Sequence, residues 1–146
     1  MPPAPSSPTP APTTHWLMWP YRLLMLVLAC GGFAAIWTVL AWANDRQYGW
    51  MALLGALDVA WIMRLTGWPS GPLRVLVGVL GTAGIVALAN WGIIAAQLGE
   101  VLGFDPVDSA LRLGVHHAWL MAQLINGPFE LTMIAAALVL AAIAAR

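Results

Sequence analysis

The chain has 146 residues, of which 61% are hydrophobic and only 8% charged, with a formal net charge of zero. Soluble domains carry about a quarter charged residues. The apolar residues here come in long runs, which argues against a water-soluble globule and for one membrane-embedded domain. All six basic residues are arginine and they form no patch, so nucleic-acid binding has no electrostatic support. The absence of lysine, beside much Ala, Gly and Leu, suggests a GC-rich bacterial genome.

In chain order, residues 1–15, "MPPAPSSPTPAPTTH", hold no large apolar side chain after Met1. Such a segment cannot bury enough surface to order itself, so a disordered tail is expected, followed by a single transmembrane helical domain over 16–146. The first expected span runs from about Leu23 to Ala43. Trp16, Trp19 and Tyr21 flank it on one side and Trp42, Tyr48 and Trp50 on the other, as befits amphipathic rings at two headgroup levels. "VLAC", ending at Cys30, loosely resembles a lipoprotein cleavage box. The sequence stays apolar well past Cys30, which favours an uncleaved helix.

Residues 49–68 form the second expected span, bracketed by Trp50 and Trp68, with Asp58 near its middle. An ionised carboxylate at that depth is costly unless paired, protonated or hydrated. "PSGP" at 69–72 then predicts a turn.

The third span is expected from Leu73 to Leu98, extending to Leu102 and stopped by "GFDP". Gly78, Thr82, Ala89, Gly92, Ala96 and Gly99 share one face, with Ile85 the only large member. Small residues let helix backbones approach closely in lipid, so this reads as the central helix of the bundle, with Val86 and Ile94 turned to lipid. Asn90 and Gln97, seven apart, lie beside the strip.

The final stretch reads two ways. Either an amphipathic segment from Val107 leads into one span kinked near Pro128, making an all-α bundle of four transmembrane helices, or a turn at "NGP" separates two spans, making five. With four, Arg22, Arg64, Arg74 and Arg146 fall on one side of the membrane, and Arg46 and Arg112 on the other. The positive-inside rule then puts both termini in the cytoplasm of a bacterial inner membrane. With five, Arg146 moves outside.

Asp108, Arg112, His116, Trp119, Gln123, Asn126 and Glu130 follow one another at spacings of three or four. That is helical period, and it predicts one continuous helix through Asn126 with a polar face. Such a face should meet other helices, a wet cavity or the interface plane rather than lipid. Asp58, Asn90, Gln97, Arg112, His116, Gln123 and Glu130 are therefore the candidate polar seam or pathway, with Asp58 expected opposite the stripe. His116 and His117 point about 100° apart on a helix, too divergent to chelate one ion easily. No metal-ligand spacing, phosphate loop or nucleophile elbow occurs, so no cofactor or metal is expected. Three functions fit: an accessory or scaffold protein packing with itself or a larger membrane complex; a conduit for protons, ions or small molecules; and an intramembrane enzyme using His and Glu.

Overall fold

A computed structural model describes residues 18–103 and 105–146, with Pro106 described by its backbone alone. The expected tail, His15 and Trp16 lie outside the described residues. Among the described residues six helices follow in order: α1 Met18–Ala43, α2 Met51–Leu65, α3 Pro72–Leu102, α4 Pro106–Arg112, α5 Val115–Ile125 and α6 Pro128–Ala144. Helix is the natural outcome for long apolar runs, since it satisfies backbone polar groups within the segment. The breaks come where helix is disfavoured. Asp45 takes a positive φ of 51° after α1. At the end of α2, Gly67 adopts the left-handed conformation and the Trp68 N–H reaches back to the Met63 carbonyl (3.0 Å), satisfying an otherwise orphaned acceptor. Pro72 then opens α3, where its missing N–H costs nothing.

α1, α2, α3 and α6 alternate in direction. Arg22, early in α1, donates to the Thr66 carbonyl just past α2 (3.2 Å). Arg64, late in α2, donates to Ala144 at the end of α6 (3.3 Å). Trp42 and Glu100, near the far ends of α1 and α3, meet at 3.3 Å. One end of the bundle therefore collects Arg22, Arg64, Arg74 and Arg146. The other end collects Asp45, Arg46, Glu100, Asp105, Asp108, Arg112 and Glu130. The pair α2–α3 is central, with α1 and α6 each packing against both.

Among the described residues two helices, α1 and α3, are long and apolar enough to cross a membrane. The pair α5–α6, bent by 108° at its break, adds a third if taken as one span. The chain is thus an all-α protein with two or three candidate membrane spans. α2, at 15 residues, is shorter than the other expected crossings.

The small-residue strip of α3 is where the bundle meets. Gly78, Thr82, Ile85, Ala89, Ala96 and Gly99 are all buried. Around them the core is closed by Trp37, Val59 and Met63, together with alanines from α1, α2 and α6. Closest of all is the approach of α1 to α3. Thr38 Oγ1 donates to Ala34 (2.9 Å) and lies 3.4 Å from the Ala89 carbonyl across the interface. A Cβ at Gly92 would fall 2.6 Å from that same oxygen.

Three expectations need correction. Ile94 does not face lipid; it is 4% exposed, because α4 and α5 fold back over the second half of α3 and bury it with Ala95, Leu113 and Ala118. Trp68 is no interfacial bracket: it is 4% exposed, set edge-on to Trp19 with ring centroids 5.2 Å apart. The polar stripe is not one continuous helix, since the chain breaks at Leu113-Gly114 and again at Asn126-Gly127.

The close approach at Gly92 yields a paired expectation. Gly92→Ala should lower the thermal midpoint in detergent, with overpacking costing about 1–3 kcal/mol. Gly84→Ala, whose Cβ would meet nothing within 4 Å, should hold or raise it, gaining up to about 1 kcal/mol of helix propensity. Equal midpoints for the two variants would contradict the α1–α3 contact.

Candidate functional site

Where α5 gives way to α6 the chain turns by 108°, and the angle leaves a crevice of about 430 Å³ over α3. Its walls are almost wholly apolar: Ala83, Val86 and Ile94 from α3, Ala118 and Ala122 from α5, Ile134 and Leu138 from α6. The polar atoms come from a few side chains, chiefly Asn90, Gln123 and Asn126, and from the indoles Trp91 and Trp119. An apolar hollow with a few convergent polar groups is the usual form of a small-molecule site, and this volume lies within the customary range of about 300–1,000 Å³.

The elbow is held by amides. Asn126 caps the end of α5 and donates from one Nδ2 to its own Ala122 carbonyl (2.8 Å) and to Asn90 Oδ1 on α3 (2.8 Å). Asn90 in turn donates to Val86 one turn back (2.9 Å). Each amide thus anchors to its own helix and the two lock together across the gap. Pro128 opens α6 and supplies no N–H that would continue α5. Glu130, in the first turn of α6, sits where the positive helix end favours a carboxylate. A Cβ at Gly127 would fall 2.9 Å from Glu130 Oε2, so the side chain folds back over its own helix start. A second tie holds the segment: Trp91 Nε1 donates to the Ala110 carbonyl of α4 (3.2 Å).

The seam candidates do not gather in one place. Asn90 and Gln123 line the crevice. Gln97 opens instead onto a small polar cleft with Asp45 and Glu100, at the acidic end. Arg112 pairs with Asp108 at 3.1 Å, both well exposed, a bridge worth at most about 1 kcal/mol. His116 and His117 are exposed, with ring centroids 6.3 Å apart and planes at 83°. Asp58 is half-buried on α2, within electrostatic range of Cys30 on α1. It does not lie opposite the stripe, because α2 packs on α1, α3 and α6 and not on α5. The physical reason is the pair of helix breaks, which turns successive stripe residues in different directions. Among the described residues no three His, Cys, Asp or Glu side chains gather as a metal site.

No protein-family model, characterised protein or solved structure matches this chain. The crevice therefore has to be read from its own chemistry. Sequence reasoning placed Asn126 on the stripe but did not pair it with Asn90, and it did not single out Trp91 as an anchor. The "NGP" break was the available signal for the elbow; nothing local marked the thirty-odd-residue reach back to α3.

The amide lock is measurable. In a double-mutant cycle with Asn90→Ala and Asn126→Ala, read by unfolding in detergent, the coupling should be about 0.6 kcal/mol, the average for interhelical hydrogen bonds in membrane proteins, and at most about 1.7 kcal/mol. Additive losses would mean that the two amides do not hold the elbow.

Proposed function

We propose that the protein is an accessory component of a bacterial inner membrane, crossing it four times, and that it holds one apolar, chain-like molecule in the α3–α5–α6 crevice. The crevice is the observation that carries this reading. A bent, almost wholly apolar hollow of about 430 Å³ suits a flexible hydrocarbon chain. Gln123, exposed at the rim, offers an amide to a polar head.

Four crossings are supported by the alternating directions of α1, α2, α3 and α6. α2 and α6, at 15 and 17 residues, reach about 22 and 25 Å. A bilayer of ~30 Å adapts to short helices by thinning and by flanking side chains that reach the interface, as Arg64 and Trp50 are placed to do. The gathering of Arg22, Arg64, Arg74 and Arg146 at one end supports cytoplasmic termini. Assembly with a second copy or a larger membrane complex belongs to the same reading, since the crevice is open and a neighbour over α5 would close it. A conduit draws less support, because the seam residues are dispersed.

The test is native mass spectrometry of protein purified in mild detergent. The parent should carry an added mass of lipid size. Ala83→Phe and Ala122→Phe, which fill the crevice, should each carry one such mass fewer than the parent without losing thermal stability. A parent with no added mass, or variants that carry as many such masses as the parent, rejects the reading. Independently, a reporter fused after Arg146 should give a cytoplasmic signal; a periplasmic one rejects the four-crossing topology.

A further inference from the structure

At the arginine end the hydrogen-bond account does not close. Arg74 is 8% exposed, yet its Nε and Nη2 are buried without a partner. Trp68, 4% exposed and six residues earlier across the same turn, has an unpartnered Nε1 as well. Buried donors of this kind are uncommon, and each calls for an explanation such as a bound ion. These are donors only, so what satisfies them must accept.

Among the described residues, no Asp or Glu side chain stands there. Segments 18–44, 59–99 and 131–146 contain no Asp or Glu, and among the described residues these stretches build the arginine end. Arg22 and Arg64 are committed to backbone carbonyls, at Thr66 and Ala144, and add their charge to the same end. Arg74 stands in the first turn of α3, whose cap Gly71 offers no side-chain acceptor. The positive pole of this long helix adds to the field. One turn further on, Gly78 packs on Ala145 and Met63, which fixes Arg74 at the junction of α2, α3 and α6.

We infer that Arg74 is the centre of a site for a phosphate oxyanion. Guanidinium geometry matches phosphate oxygens in a two-pronged fork. If the bundle crosses the membrane as proposed above, this end lies at headgroup level on the cytoplasmic side. There, basic pockets between helices take anionic lipid headgroups. The phosphodiester of an anionic phospholipid is the favoured source, and free inorganic phosphate the other. The site does not depend on the crevice, which lies on the α3–α5–α6 face.

The experiment titrates the full chain in neutral detergent with phosphatidylglycerol, phosphatidylcholine or inorganic phosphate, reading thermal midpoint and bound mass. Phosphatidylglycerol should raise the midpoint and bind more tightly than phosphatidylcholine, less so at high salt. Arg74→Gln should weaken binding about ten- to hundredfold, while Arg46→Gln, at the opposite end, should not. An equal response to inorganic phosphate alone supports the site and assigns it to a free anion. If no probe shifts the parent, or Arg74→Gln binds as the parent does, the inference is overturned. Should Arg74→Gln fail to fold, the parent still decides. A photoreactive headgroup analogue of phosphatidylglycerol should label residues around the 66–75 turn, and labelling confined to the opposite end overturns the site.

Discussion

Helices in lipid gain nothing from hiding apolar surface from other apolar surface, so they associate through close contact. In this protein the close contact runs along one face of α3. Gly78, Gly92 and Gly99, with Thr82 and the intervening alanines, keep the face thin enough for backbones to come near. The tightest point is Thr38 against Gly92, where the threonine hydroxyl occupies the space a Cβ would need. Ile85, fully buried, fills the one place where the strip needs volume. α1 and α2 reach their positions through this face, and α6 packs beside them at Gly78.

The second half of α3 has a different partner. It runs on past the start of α6, and α4 and α5 cover it. The covering segment is held by two polar ties, the Trp91 indole to Ala110 and the Asn126 amide to Asn90. Both are worth more where water is scarce, because the alternative is an unpaired polar group. Since α6 leaves the elbow at a steep angle, α5 and α6 cannot close on each other over α3. The crevice is the geometric remainder of that turn, and its apolar lining follows from the composition of the three helices that border it.

Charge divides the molecule along its long axis. Four of the six arginines collect at one end and most carboxylates at the other, while Asp58 alone sits between. The acidic end closes its own account in part, through Asp108 with Arg112 and Asp105 with the Val107 N–H. The arginine end uses backbone carbonyls for Arg22 and Arg64 and leaves Arg74 and Trp68 without acceptors. The two ends therefore differ in chemistry as well as in sign: one is rich in acceptors, the other in donors.

Much of the fold was legible in the sequence because its causes are local. Apolar runs, "PSGP", "GFDP" and "NGP" set the helices and breaks. The spacing of small residues marked the face of α3 that is buried, and the distribution of arginines already grouped Arg22, Arg64, Arg74 and Arg146. The stripe from Asp108 to Glu130 misled because periodicity assumes an unbroken axis. Gly114 and Gly127 interrupt it, and a break rotates everything beyond it. Only tertiary structure decided that Ile94 is covered, that Trp68 turns inward, that Asp58 lies away from the histidines and that Asn126 finds Asn90. Each of these depends on which distant helix arrives at a given face. A single chain's pattern carries no information on that, because in lipid one apolar face attracts no particular partner until backbones are close enough for shape and hydrogen bonds to choose.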